Sequence, residues 1–297
     1  MQIILLNGGL ANQTFQYLFG MALQARSNEI VVFDDSYFDW ITKSKPHSNK
    51  ANSQRRLLDK IFNLEVRQLS SFFSQESWNE MLATCDHQNI SIIQLLKNNG
   101  LDFKLIAETD DYKFNGKVIK LSEKEWQTHH FPNEEIYYHG YWINNNAFNM
   151  LNASSLLKFS TITEPHNLEY AENISLQDSV GIHVRRFSLE GFNWDLPFTW
   201  YQQSIVNLRK QKRDLKFFIF SDDLQWCKNN LLNLGLLNSD NVEFVIGNEN
   251  EELNYRDLQL MTLANHLIIS NSSFSYLAAL LNKRSGIIFN PTNRLLT

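Results

Sequence analysis

Two arginines, Arg185 and Arg186, follow the alternating run Val180–Val184 in the segment V-G-I-H-V-R-R-F-S-L-E. The alternation predicts a strand, and a strand ending at Val184 delivers both guanidinium groups into the loop after it. Guanidinium is always charged and forks two donors toward phosphate oxygens. Open parallel sheets gather ligands at the carboxyl ends of their strands. Two more pairs stand in the same relation to apolar runs: Asp222-Asp223 after Phe217–Phe220, and Ser272-Ser273 after Leu267–Ser270. The serines open the run Phe274–Leu281, where a helix N-terminus offers free N–H groups and a dipole that favours an anion. Taken singly, these are a solvated arginine pair and two helix caps. Placed at equivalent strand ends, they predict a nucleotide-phosphate site.

The elements that must carry those residues alternate regularly in the second half. Strands are expected at Val180–Val184, Phe217–Phe220, Val242–Ile246, Leu267–Ser270 and Gly286–Phe289, and helices at Thr199–Gln211, Trp226–Leu234, Asn254–Asn265 and Phe274–Leu281. Strand alternating with helix implies a parallel sheet covered on both faces. The chain opens the same way. Ile3–Leu6 reads as a strand, Asn7-Gly8-Gly9 as a turn, and Asn12 as a cap for a helix bearing Phe15, Leu18, Phe19, Ala22 and Leu23. Ile30–Phe33 then predicts a strand ending on Asp34-Asp35. This is a Rossmann-like opening, although Asn7-Gly8-Gly9 is not a G-x-G-x-x-G fingerprint. From Tyr37 to Phe131 only helix-like patches stand out, at Leu57–Phe62, Trp78–Leu82 and Ile92–Leu96. A strand at Ile136–His139 and a helix at Ala147–Phe159 follow. Residues 161–179, with Pro165, read as a linker between residues 1–160 and 180–297. The fold class is therefore α/β, two Rossmann-like domains facing a central cleft.

Composition narrows the function. The 297 residues carry a net charge of −5 and a pI near 5.9, which excludes a basic nucleic-acid footprint. Two cysteines, Cys85 and Cys227, form neither a disulfide framework nor a zinc pattern and suit a reducing compartment. They are expected to be small buried hydrophobes. No apolar run reaches the length of a membrane span, and the first residues lack a cleavable leader. A cytoplasmic protein is expected, with peripheral contact at the inner membrane face left open. Oligomeric state is not readable.

The motifs G-G-L-A-N-Q-T-F-Q-Y at Gly8–Tyr17, H-V-R-R at His183–Arg186, F-S-D-D at Phe220–Asp223 and N-S-S-F-S at Asn271–Ser275 are ordered and spaced. Together with L-M-T-L-A-N-H-L-I-I before the last, they resemble glycosyltransferase family eleven, the α-1,2-fucosyltransferases, most of all bacterial members. The resemblance covers the first forty residues and nearly all of the second half. It implies a GT-B-type fold, a GDP-fucose donor, neither metal nor cofactor, and transfer with inversion to the 2-hydroxyl of a terminal galactose. The product would be an oligosaccharide or surface polysaccharide such as O-antigen. By motif, His183, Arg185 and Arg186 would hold the donor, with Arg185 on the pyrophosphate. Asp222 or Asp223 would meet guanine or ribose, and Ser272, Ser273 and Phe274 would line the phosphate site. Gly8, Gly9, Asn12 and Gln13 would face the cleft from the first domain.

This chain departs from the family pattern twice. Phe187-Ser188-Leu189 stands where the family reads Gly-Asp-Tyr, and Ala11 replaces a glycine. The missing aspartate keeps a second reading in view, the same fold with another nucleotide-sugar donor or acceptor. A sugar-nucleotide-binding protein without turnover is a third. In the transfer reading, charge grows on the departing diphosphate, and preorganised donors do most of the catalysis. Glu190 and Asp195 are the candidates for the base that takes the acceptor proton, Glu190 slightly ahead. His183, inside an apolar strand, is expected to position Arg185. Trp194, Trp142 and Tyr141 are candidates to stack on the acceptor sugar, and Asp34-Asp35, lacking D-x-D, reads as a strand-end turn.

Overall fold

A computed structural model of the chain describes residues 1–44, 55–108, 118–120, 125, 134–143, 145–250 and 252–291. It divides into two units, Met1–Lys158 and Phe159–Thr297. Parts of the stretch between Tyr37 and Phe131 lie outside the described residues.

The first unit is built on a parallel sheet of β1 (Gln2–Leu5), β2 (Val31–Asp34), β3 (Lys104–Ala107), β4 (Val118–Lys120) and β5 (Ile136–His139), in the order β2-β1-β5-β3-β4. Its helices are α1 (Leu10–Ser27), α2 (Ser36–Ser44), α3 (Leu58–Phe62), α4 (Gln75–Gln88), α5 (Ile92–Asn98), α6 (Asn145–Met150) and α7 (Ala153–Leu156). β1 and β2 are buried along their whole length because helices cover both faces. Ile3 and Leu5 point into a core with Trp78, Leu82, Ile92 and Ile93. Ile4 and Phe33 instead meet Gly20 of α1, where a Cβ would stand 2.9 Å from the Phe33 ring. Gly9, not Asn12, caps α1, so Ala11 falls inside the first turn at ordinary helical geometry. The expected helix at Ala147–Phe159 is two short ones, ending at Leu156.

The second unit holds β6 (Ser179–Val184), β7 (Lys216–Ser221), β8 (Asn241–Phe244), β9 (His266–Ile268) and β10 (Ile288–Phe289), parallel and ordered β10-β9-β6-β7-β8. Its helices are α8 (Pro165–Leu176), α9 (Phe198–Arg209), α10 (Leu224–Asn229), α11 (Leu231–Leu234), α12 (Tyr255–Met261) and α13 (Ser273–Leu281). Val180, Ile182 and Val184 pack with Tyr201, Ile205 and Leu208 of α9 on one face. Gly181 lies on the other, where a Cβ would press on Leu267 at 2.9 Å. The stretch read as a linker, 161–179, is instead mostly α8. Pro165 sits in its first turn, where a missing N–H costs no hydrogen bond. Both cysteines are buried and free. Two parallel Rossmann-like sheets are the α/β composition the alternation predicts, and the GT-B-type fold is the one the family resemblance implies.

Candidate active site

The strand order of the second unit decides where its ligand groups meet. From β6 the chain steps outward through β7 to β8, then returns to lay β9 against the opposite edge of β6. The gap between β6 and β9 is thus a topological switch point, where the following loops diverge and leave a crevice. Arg185 and Arg186 follow β6, Asp222 and Asp223 follow β7, and Ser272 caps α13 just beyond β9. The three motifs stand side by side at the carboxyl ends of three neighbouring strands.

The arginines have different surroundings. Arg185 is ion-paired through Nη1 to Asp222 and through Nη2 to Glu190, with its guanidinium 5.2 Å from the Phe187 ring centroid. The Arg186 guanidinium sits over the indole of Trp226, 3.9 Å from its centroid, and that indole stacks on Phe198. Its Nε donates to Asp195 Oδ2 at 2.9 Å and its Nη2 to Ser188 Oγ at 3.1 Å. Arg186 is thereby built into the loop's foundation. Arg185, with a quarter of its side chain exposed, is the one held at the surface of the site.

The carboxylates sort in the same way. Asp222 Oδ1 accepts the Arg186 backbone N–H at 3.0 Å, while Oδ2 holds Arg185. Asp223 caps α10 by accepting from Trp226 N at 3.0 Å. Asp195 accepts from Ser188 N at 2.9 Å and Ser188 Oγ at 2.6 Å as well as from Arg186. Partial burial pushes its carboxyl up, but those hydrogen bonds and the Arg186 charge outweigh it and hold it below the ordinary carboxylate value. A carboxylate so engaged is a poor proton acceptor and a good loop anchor. Glu190 keeps one oxygen outside its ion pair with Arg185. Ser188 and Asp195 together close the loop after Arg186.

His183 is the last inward-facing residue of β6 but one. Its ring is buried, with Nδ1 2.8 Å from Ser270 Oγ and Phe274 packed 5.8 Å away. Burial first, and the Arg185 charge second, push its pKa down to about 3, so the ring is neutral at physiological pH. It ties β6 to β9 across the switch point, a positioning arrangement. Ser272 accepts from Phe274 N at 3.3 Å, and Ser273 begins the helix. Asn271 Nδ2 donates to the Trp194 carbonyl at 2.8 Å, fastening the loop after β6 to the serine motif.

The first unit's candidates divide similarly. Gly8 has φ +74°, and a Cβ there would meet the Asn12 side chain at 2.6 Å, so the turn into α1 requires glycine. Gly9 caps the helix, and Asn12 lies partly exposed in its first turn. Gln13 does not face outward as expected. It is buried, donates to the carbonyls of Gly8 and Arg55 at 2.9 and 2.8 Å, and accepts from Leu57 N at 3.2 Å. Its role is to pin residues 55–57. Asp34 and Asp35 are buried too: Asp34 accepts from Tyr137 Oη at 2.9 Å, and Asp35 pairs with Arg56 at 2.8 Å. Trp142 is buried flat against Phe19 at 4.1 Å and is removed from the stacking candidates, whereas Tyr141 and Trp194 are exposed.

Sequence reasoning did not single out Trp226, Ser188 or Asn271 for these contacts. Trp226 lies forty residues beyond Arg186, and only strand pairing brings them together. An aromatic one turn into the helix that follows F-S-D-D was the available signal.

Both the sequence and the fold have known relatives. The model of glycosyl transferase family 11 matches residues 1–295. The chain is 28% identical to an alpha-1,2-colitosyltransferase of Escherichia coli, over 97% of this chain and 90% of that one. It is 25% identical to the O-antigen biosynthesis glycosyltransferase WbnK of the same species, over 93% and 89%. Among solved structures, the alpha-1,6-fucosyltransferase NodZ from Bradyrhizobium, soaked with GDP-fucose, shares the fold with a TM-score of 0.53 at 16% identity, covering 99% of this chain and 95% of that one. With every motif of the site inside the matched span, the chain belongs to glycosyltransferase family 11.

Proposed function

We propose that the protein transfers L-fucose from GDP-fucose to the 2-hydroxyl of a terminal galactose, with inversion, in building an oligosaccharide or surface polysaccharide. The observation that carries this reading is the position of Arg185, one residue past β6 at the switch point, beside the serine-capped start of α13. As the sugar–phosphate bond breaks, charge appears on the β-phosphate. A fixed guanidinium and a helix N-terminus aimed there stabilise that charge without rearranging. With those two charge sources the reaction needs no metal. Glu190, tethered to Arg185, is the residue placed to receive the acceptor proton once the diphosphate takes over the guanidinium. The GDP-fucose soaked into NodZ and the α-1,2 linkage in the name of a relative matched over 90% of its length support the reading.

A second reading is a different sugar on the same nucleotide. It is favoured by that relative's transfer of a colitosyl group and by Phe187-Ser188-Leu189 in the loop nearest Arg185. A cytoplasmic site of action, at the membrane's inner face for a lipid-borne acceptor, fits the two buried free thiols. Among the described residues no helix is long and apolar enough to cross a membrane.

Mass-spectrometric screening of GDP-fucose and other GDP-sugars against terminal-galactose oligosaccharides tests the proposal. A fucosylated product supports it, product from another GDP-sugar alone selects the second reading, and nucleotide binding without product leaves a binding protein.

A further inference from the structure

The loop after Arg186 exposes more aromatic surface than its packing requires. Trp194 is 55% exposed and Phe192 38% exposed. Large apolar side chains left open to water in one place mark a contact surface. These two rings are also ordered: their centroids are 4.5 Å apart with planes 11° from parallel. Phe187 meets Trp194 edge-on at 5.7 Å. The backbone beneath is fixed by Asn271 on the Trp194 carbonyl and by Asp195 on Ser188. Gly191, at φ +84°, makes the turn that brings Phe192 back over the loop.

We propose that the Phe192–Trp194 pair is a stacking platform for the acceptor's galactose ring. This rests on the donor reading of Arg185 given above. A galacto-configured pyranose has one face of C–H groups, because its axial 4-hydroxyl leaves the 3, 4 and 5 hydrogens together on the other side. Weakly positive hydrogens suit the negative face of an aromatic ring. Phe187 contacts both the Arg185 guanidinium and the Trp194 ring, so it links the residue proposed to hold the diphosphate to the Phe192–Trp194 pair. The platform is one ring farther out, where the acceptor must wait. A flexible apolar loop tip would instead suit lipid, but here the rings are stacked and the backbone is tied down on both sides.

The test uses the whole protein, with galactosides, guanine nucleotides and anionic phospholipid vesicles offered separately. Binding of methyl β-galactoside and lactose is measured by calorimetry on wild type, Trp194→Ala and Trp194→Phe, alongside thermal stabilisation by GDP and GDP-fucose. The alanine variant should bind both galactosides about ten-fold more weakly, with phenylalanine near wild type and GDP stabilisation unchanged. Equal galactoside binding in all three, or none by wild type, overturns the proposal. So does a Trp194→Ala defect confined to GDP-fucose, which moves the platform to the donor sugar. A defect confined to binding of anionic phospholipid vesicles overturns it in favour of a membrane contact. Absence of GDP stabilisation in wild type overturns the donor reading alone, leaving the galactoside result to stand.

Discussion

Arg185 and Arg186 are adjacent in the chain and opposite in employment. Arg186 is spent on Trp226, Asp195 and Ser188, whereas the Arg185 partners, Asp222 and Glu190, are carboxylates that a diphosphate can replace. Arg185→Ala should therefore lower transfer by about a hundred-fold or more, the scale of losing one preorganised donor. Its unfolding temperature should stay near wild type, because a partly exposed ion pair contributes little to stability. Near-normal turnover in a folded variant would remove Arg185 from the reaction. The two loop carboxylates separate by pH. Glu190→Gln should flatten the acidic limb of the pH–rate profile. Asp195→Asn should keep the limb and lower the rate throughout, since Asp195 is bound on both oxygens to Ser188 and Arg186. An unchanged limb in both variants would assign the proton to neither. The sequence announced these residues because each motif is contiguous. Their division of labour was hidden, because it depends on Trp226 and on a hydroxyl at Ser188 that only the folded loop turns toward Asp195.

At the scale of elements, long alternating or fully apolar strands bordered by turns were legible, and short pieces were not. β3 begins on the exposed Lys104, which leaves only Leu105–Ala107 as a buried apolar run inside a polar stretch. The helix expected at Trp226–Leu234 breaks at Asn230 into α10 and α11. Pro165 read as part of a linker when it marks a helix start. Strand ends also set the pH response. Burial raises Asp34, at the end of β2, to about 6 against the hydrogen bonds from Ser36 and Tyr137. The native state then holds a proton that the unfolded chain releases near pH 3.8. The neutral acid's contribution is thus complete below pH 3.8 and lost as pH rises through 6. Asp34→Asn should gain stability relative to wild type across that window, by about 3 kcal/mol, and track it in parallel above pH 7. His183 and His139 act in the other direction. Burial holds them neutral, with pKa values about 3 and about 4, so the unfolded chain takes up protons first and stability falls as pH drops below 6.5. Urea titrations from pH 3.5 to 8 check both signs. A difference between Asp34→Asn and wild type that is flat with pH would contradict the Asp34 assignment.

For the whole molecule, the two Rossmann-like units were expected from alternation alone, yet only the second carries its chemistry in readable form. Arginine, aspartate and serine pairs at strand ends are few enough residue types to be noticed. The first unit's equivalent positions hold Gln13, Asp34 and Asp35, polar residues turned inward to fasten its own loops. On the proposed function, that asymmetry assigns the nucleotide to the second unit. A ligand that binds only the native state stabilises it by RT ln(1 + [L]/Kd), about 2.7 kcal/mol at a hundred times Kd. GDP should therefore raise the unfolding temperature measurably in wild type and much less in Arg185→Ala. UDP should give little, if the purine is read by the loops around Asp222. The same shift should survive excess chelator, and so should turnover, because Arg185 and the α13 N-terminus supply the positive charge that a metal would bring. If the GDP shift or the turnover vanishes with chelator and returns with manganese, the charge on the diphosphate is neutralised by an ion, and Arg185 is left as an orienting contact.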